Sequence, residues 1–184
     1  MNIVIHAGHN PDGKVACGAV GFQKESTLAR EVCAYLPEYL LKYEGISSIT
    51  DVTCNNGKNS KDILNKVISR TNASNPDLSV SVHLNASASP SSNGTEVWYY
   101  TGNNYIGRLA ESICLELSKY GYKNRGAKPS VSLAVLKRIK CDSILIECAF
   151  VTSRRDMSQF NSRQVAKRIA KGIAKHYNLK EIKE

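Results

Sequence analysis

The stretch that decides the fold is a short apolar segment at residues 78–84, Leu78-Ser79-Val80-Ser81-Val82-His83-Leu84. Its β-branched content predicts a strand, and the turn formers Asn75, Pro76 and Asp77 end the preceding helical pattern. Function in open α/β sheets gathers at the carboxyl ends of the strands. His83, near the end of this segment, is therefore a candidate site residue.

Strands alternate with helices on both sides of this segment. Further strands are predicted at residues 3–5, 48–52, 95–100, 133–136 and 143–147, and a glycine-rich loop spans residues 7–24. Apolar periodicity predicts helices that begin at Glu25 and Ser60, one over residues 105–119, and one at the C-terminal end. Pro37 is expected to kink or split the first helix.

This order predicts a single α/β domain. We expect a mostly parallel, twisted sheet of about six strands flanked by about five helices, with the active site at the C-terminal ends of the strands. The catalytic domain is predicted to span residues 1–178. Residues 179–184 form a polar tail, interpreted as the start of a linker.

The composition is that of a folded, strongly basic protein. Of the 184 residues, 42% are hydrophobic and 22% are charged, which is typical of a globular protein rather than of a disordered chain. The net charge of +9 predicts attraction to a polyanion, such as nucleic acid, an anionic membrane surface or an anionic cell wall. No recognition motif or aromatic-interleaved basic stretch supports nucleic acid.

The cysteines and the N-terminal end bear on where the protein is made. Six scattered cysteines without a C-x-x-C pair predict free, mostly buried thiols and a reducing compartment. Residues 2–5 are too short for the apolar part of a signal peptide, and no segment reaches transmembrane length. We therefore expect synthesis in the cytoplasm without a signal peptide, and no membrane insertion.

Two histidines and two glutamates are candidates for chemistry. His9 follows the first strand, His83 and Glu147 lie near the ends of two others, and Glu25 lies at the exit of the glycine-rich loop. Two imidazoles and a carboxylate can bind zinc and leave a position for water, while a second carboxylate acts as a base. Spacing alone leaves open ordinary structural roles, including a helix-dipole role for Glu25.

Local motifs add a family resemblance that runs nearly end to end. In the same order along the chain, they resemble the zinc-dependent N-acetylmuramoyl-L-alanine amidases, a family that includes phage endolysins and sporulation amidases. The matching segments are Ile3–His9, Glu25, Asp77–Ala86, Gly94–Tyr100, Arg125–Lys128 with Leu133–Leu136 after it, and Ile144–Phe150 with Asp156 downstream.

The resemblance implies roles for the four candidates. His9, Glu25 and His83 would hold one Zn²⁺, and Glu147 would be the catalytic carboxylate. The reaction implied is hydrolysis of the amide bond between N-acetylmuramic acid and L-alanine in bacterial peptidoglycan. Two rivals stay open: a zinc peptidase that cuts within the stem peptide, and a non-catalytic wall-binding module of the same fold.

Substrate contacts and partners follow less directly. Arg125 and Lys128 are candidates for binding stem-peptide carboxylates, with solvated surface as the alternative. Asn85 either contacts substrate or caps a turn. The basic surface suits anionic wall polymers as well as peptidoglycan. We expect the protein to act on the cell wall after release by phage lysis.

The chain departs from the family pattern at three positions. His6 stands where the family often has Asp. It either supports the metal ligands from behind or is a local variation, and we favour the second interpretation. Ala149 replaces a usual Gly and Ser153 a frequent Asn, and both are expected to affect the loop beyond Glu147. His176, in the last helix, is expected to be solvated.

Overall fold

The sheet is built around β3 (Leu78–Asn85), the strand predicted from the opening segment. In the computed structural model, which describes residues 1–182, β3 lies between β1 (Asn2–Ala7) and β6 (Asp142–Phe150) and is parallel to both. The strand order is β2-β1-β3-β6-β4-β5, with β2 at Ser48–Asp51, β4 at Thr95–Tyr100 and β5 at Asn124–Ser130. Only the β4–β6 pairing is antiparallel, so the predicted mostly parallel sheet of six strands is confirmed.

Alternation along β3 separates two faces of the sheet. Leu78, Val80, Val82 and Leu84 belong to the main apolar core, since successive side chains of a strand point to opposite faces. Three long helices cover this face: α1 (Glu25–Leu40), α3 (Asn104–Ser118) and α6 (Ser162–His176). Because the side chains on this face are almost completely buried, a one-residue shift of a strand would move them to the other face. The burial therefore fixes the register of the strands.

The opposite face is more polar and is only partly covered. Ser79, Ser81 and His83 of β3 lie on it, and both serines are buried. Two helices pack over it, α2 (Ser60–Ser74) and the short α4 (Ala134–Arg138), each with a small apolar cluster. The incomplete cover leaves the carboxyl ends of the parallel strands accessible on this face.

The predicted strand at residues 133–136 is wrong. This segment enters α4, and the sixth strand is β5, at residues 124–130. Val135 and Leu136 pack in an apolar cluster with Leu145, and a short apolar run of this kind does not distinguish a strand from a helix turn. β5 contains Pro129, which is tolerated because β5 is an edge strand.

The helices differ in detail from the prediction. There are six among the described residues, because α4 and α5 (Arg154–Gln159) are short and add to the four long ones. α1 continues through Pro37 to Leu40 without splitting, since the proline falls in its last turn. Asn59, rather than Ser60, caps α2 by accepting a hydrogen bond from the backbone N–H of Asp62.

Residues 180–182 pair with residues 42–44, while residues 183 and 184 of the predicted tail lie outside the described part.

All six cysteines are free and four are buried, as predicted. The solvated position expected for His176 is wrong, because its half-buried ring packs against Tyr105 and Tyr177. Within residues 1–182, no helix has the length and apolar character needed to cross a membrane.

Two leucines of α3 provide a matched test of the core. Leu117 is fully buried under the sheet, whereas Leu115 is 53% exposed. Leu117→Ala is expected to lower the free energy of unfolding by about 2–5 kcal/mol, because it leaves a cavity. Leu115→Ala is expected to change it by less than about 0.5 kcal/mol. Urea unfolding of both variants checks this, and equal effects would contradict the assigned burial.

Candidate functional site

Three predicted ligands come together at the carboxyl ends of β1 and β3. His9 Nε2 lies 3.1 Å from Glu25 Oε1, and His83 Nδ1 lies 3.0 Å from the same oxygen. The two imidazole rings meet edge to face, with centroids 5.0 Å apart. Residues far apart in sequence thus form one cluster, in which one ligand atom from each lies within 4.8 Å of the others.

The loop after β1 brings His9 into the cluster through an uncommon backbone conformation. His9 has a φ of +63°, in the left-handed region that non-glycine residues rarely adopt. A Cβ on Gly8 would lie 2.1 Å from His83 Cε1, and one on Gly18 would lie 2.7 Å from Glu25 Oε2. The site therefore requires glycine at both positions for the side chains to approach.

Arg30 of α1 fixes this loop from behind. Its guanidinium donates to the carbonyl oxygens of Gly8, His9 and Cys54, and to the side chain of Asn55. One partly buried guanidinium thereby links the segments that follow β1 and β2. Arg30 was not identified from the sequence, because nothing in the local pattern distinguishes it from a surface arginine of a helix.

Glu25 is held as a carboxylate. Burial alone would raise its pKa, but hydrogen bonds from His83 and His9 hold the pKa well below its ordinary value. The backbone N–H of Ala19 donates to Oε2 at 2.9 Å, and that of Leu84 donates to Oε1 at 3.3 Å. The side chain thus stays charged and fixed in orientation.

Glu147 lies beside this cluster on β6. It aligns with His83 across the β3–β6 pairing and with Glu96 across the β4–β6 pairing. Its Oε2 is buried and has no hydrogen-bond partner among the described residues. Burial, with the charges of Glu25 and Glu96 adding to it, raises the pKa of Glu147 to about 8. An unpaired carboxyl group with a raised pKa is typical of a group that exchanges protons.

Glu96, which was not identified from the sequence, binds two of the predicted substrate-binding residues. Its Oε2 accepts from Arg125 Nε at 2.7 Å, and its Oε1 accepts from Asn85 Nδ2 at 3.0 Å. The Arg125 guanidinium also lies over the Phe150 ring, 4.9 Å from its centroid. The available signal was a carboxylate inside an otherwise apolar strand, the same argument that identified Glu147.

The three predicted substrate-binding residues lie in different settings. Asn85 and Arg125 are joined through Glu96 beside Glu147, and the Arg125 side chain remains 32% exposed. Lys128 lies on edge strand β5, aligned with Trp98, and makes no ion pair within the described residues. The structure therefore brings Asn85 and Arg125 to the site, but shows no contact between Lys128 and the cluster.

The segment beyond Glu147 is fixed by Asp156. Its Oδ2 accepts from the backbone N–H groups of Gly94 and Phe150, at 2.8 and 2.9 Å. Ser153 caps α5 by accepting from the Asp156 N–H, a role that Asn also performs. Ala149 is fully buried in β6. Ala149 and Ser153, which both depart from the family pattern, thus lie in backbone segments next to the site.

A cavity opens beside the cluster, between the polar face of the sheet and α2. Its volume is about 120 Å³, and its walls include His6, His9 and His83 together with apolar side chains of α2. His6 is buried, with Nδ1 3.4 Å from Ser81 Oγ. Burial, and secondarily the charge of His83, lowers the pKa of His6 to about 3, so the ring is neutral.

The three side chains could hold a divalent metal ion. Ligands about 2.0–2.1 Å from zinc lie roughly 3.3 Å apart, and the nitrogen-to-oxygen distances of 3.0 and 3.1 Å are close to this. Two imidazole nitrogens and a carboxylate oxygen suit zinc and leave a coordination position open. Such an ion, with Glu147 beside it, has the components of metal-assisted hydrolysis.

Comparison with known proteins gives the family. Residues 3–177 match the family described as N-acetylmuramoyl-L-alanine amidase. The chain is 33% identical to the N-acetylmuramoyl-L-alanine amidase LytC of Bacillus subtilis over 113 residues, which is 60% of this chain and 23% of LytC. It is 28% identical to the endolysin of Bacillus phage SPP1 over 192 residues, covering 96% of this chain and 66% of the endolysin. The chain thus spans less than two thirds of either relative.

Solved structures agree. The catalytic domain of CD27L, an endolysin targeting Clostridia difficile, superposes with a TM-score of 0.86 at 29% identity, covering 95% of this chain and 97% of that domain. The catalytic domain of the amidase CwlV from Bacillus (Paenibacillus) polymyxa has a TM-score of 0.81 at 21% identity, covering 97% and 99%, and supports the fold alone. With a family match that extends over nearly the whole chain, this protein belongs to the N-acetylmuramoyl-L-alanine amidase family.

Proposed function

We propose that the chain hydrolyses the amide bond between N-acetylmuramic acid and L-alanine of bacterial peptidoglycan. The observation that carries this is the placement of Glu147 beside the His9–Glu25–His83 cluster, in a chain of the amidase family. A non-catalytic wall-binding module would not require an unpaired buried carboxyl group next to a metal-type cluster.

The proposed cofactor is one Zn²⁺, held by His9, Glu25 and His83. When bound, zinc supplies Lewis-acid polarisation of the scissile carbonyl and lowers the pKa of water. The chain itself holds the ligands rigidly, since Glu25 receives two backbone N–H groups and the His9 carbonyl is bound by Arg30. Backbone contacts of this kind orient metal ligands.

Glu147 is the proposed general base and acid. The pKa of about 8 belongs to the metal-free protein, and the positive charge of an ion held by the cluster would lower it and ionise the carboxyl group. The unpaired Oε2 then accepts a proton from the attacking water and passes it to the departing amide nitrogen. Glu96 stays engaged with Arg125 and Asn85, so the proton-transfer role falls to Glu147 alone. The Nη atoms of Arg125, which form no hydrogen bond within residues 1–182, are proposed to meet a stem-peptide carboxylate.

The remaining proposals concern partners and place of action. Lys128 and Asn85 are proposed as substrate contacts, and the net charge of +9 is proposed to retain the protein on anionic wall polymers. Two of the similar proteins are named endolysins, and we extend to this chain an action on the cell wall after release by phage lysis.

Replacing the proposed base tests the mechanism. Glu147→Gln keeps the shape but cannot accept the proton, so hydrolysis of peptidoglycan is expected to fall by about 10²–10⁴-fold while zinc stays bound. Glu111→Gln, on the exposed side of α3, is the matched control and should retain wild-type rates. Turbidity assays measure the rate, and full activity of Glu147→Gln would refute the role.

The products separate the amidase from its enzymatic rival. An amidase releases L-alanine amino termini and leaves the glycan intact, whereas a stem-peptide peptidase creates amino termini further along the peptide. Mass analysis of peptidoglycan digested by the wild type is expected to show only the first pattern.

Metal content tests the ligand cluster. His83→Ala removes one of the three ligands, and the loss of one ligand is expected to weaken zinc binding by at least about tenfold. His176→Gln, in a histidine remote from the cluster, should bind zinc like the wild type. Titration of the metal-free proteins with zinc measures both affinities. Equal affinities in the two variants would show that His83 is not a ligand.

The raised pKa of Glu147 makes stability depend on pH in the metal-free protein. Its pKa rises from 4.5 in the unfolded chain to about 8 in the folded one, so the folded state binds the proton more tightly. This contribution to stability is present below the lower pKa and is lost as the pH rises through the higher one. Between about pH 5 and pH 9, the wild type should lose on the order of 1 kcal/mol or more relative to Glu147→Gln.

Urea unfolding in the presence of a chelator measures this difference. A gap between the two proteins that stays constant with pH, or that grows in favour of the wild type, would contradict the assigned environment of Glu147.

A further inference from the structure

The cavity beside the cluster is not used by the mechanism above. Its apolar wall consists of Ile63, Leu64 and Val67 of α2 with Val135 of α4. His9 and His83 line its other side, so the cavity and the proposed metal site share two walls. Any group that fills it therefore lies next to the proposed metal site.

His6 lines this cavity and carries a polar atom without a partner. The side chain is only 2% exposed, and its Nε2 has no hydrogen-bond partner among the described residues. Ser81 Oγ lies 3.4 Å from Nδ1, and when the hydroxyl donates to that nitrogen the ring proton is on Nε2. In this tautomer Nε2 is a buried donor without an acceptor, which is costly, and an acceptor on a ligand would remove that cost.

The lining restricts the chemistry of that ligand. The walls are aliphatic apart from the histidines and the hydroxyl of Ser60, and no carboxylate, lysine or arginine lines the cavity. A charged group would be poorly solvated there. The volume of about 120 Å³ holds roughly four groups the size of a water molecule. A small neutral group with a methyl end and a carbonyl oxygen meets these conditions.

We propose that this cavity is the subsite for an acetamido group of the glycan, with its methyl against α2 and its carbonyl oxygen accepting from His6 Nε2. The inference rests on the proposed function, since the amino sugars of peptidoglycan carry such groups. His6 is then a specificity-determining residue, and its place beside the metal ligands has a chemical purpose.

The test uses disaccharide–peptide substrates that differ in one substituent. The parent carries an acetamido group on both sugars, and two analogues each have hydrogen in place of it on one sugar, which removes the group without adding charge. For the wild type, kcat/KM is expected to fall by about tenfold or more for one of the two analogues. The analogue affected identifies which sugar supplies the group.

Variants of the wall link this loss to the cavity. His6→Leu removes the donor and should lower kcat/KM for the parent to the value for the affected analogue. His6→Gln places an amide near the position of Nε2 and should restore part of the preference for the parent over that analogue. Val135→Phe fills the cavity and should act like His6→Leu. Leu136→Phe, in the same apolar cluster but outside the cavity wall, should keep the wild-type preference.

The outcomes separate the two proposals. If the wild type cleaves the parent and both analogues equally well, the acetamido subsite is wrong while the amidase proposal stands. A preference that survives unchanged in folded His6→Leu and Val135→Phe would also overturn the subsite. Absence of cleavage for peptidoglycan and for all three substrates, with zinc present, would instead overturn the proposed function.

Discussion

The carboxylate of Glu25 between two imidazoles is the interaction on which the site depends. One oxygen contacts both His9 and His83, at 3.1 and 3.0 Å, and it joins the end of β1, the start of α1 and the end of β3. The cluster requires a left-handed backbone at His9 and a glycine at position 8. Such strain persists only where the surrounding structure determines it, and the Arg30 guanidinium provides that support.

A second constraint is the crowding of carboxylates beside this cluster. Glu147 and Glu96 face each other across β6 and β4, and only Glu96 has a cation, Arg125, to balance its charge. Glu25 is stabilised as an anion by the histidines, so the cost of burial falls on Glu147, whose pKa rises. The difference between these acids follows from their hydrogen-bond partners rather than from their depth.

The sequence predicted the parts that follow from periodicity and strand ends. The alternation of strands and helices predicted the mostly parallel sheet, including β3. The positions of His83 and Glu147 at strand ends predicted that the candidate residues meet at one edge of this sheet. The segment at 133–136 was misread, because a short apolar run has no period that separates a strand from a helix turn. Arg30 and Glu96 were missed, since their roles come from contacts between distant segments. His6 was interpreted as a local variation, because a cavity cannot be inferred from one strand.

The most direct test of the central claim is X-ray diffraction from crystals grown with zinc, recorded on both sides of the zinc absorption edge. We expect an anomalous peak among His9, Glu25 and His83, at about 2.0–2.1 Å from each ligand nitrogen. The Glu147 carboxyl group should face this peak. A peak elsewhere, or none at these residues with zinc in excess, would contradict the central claim.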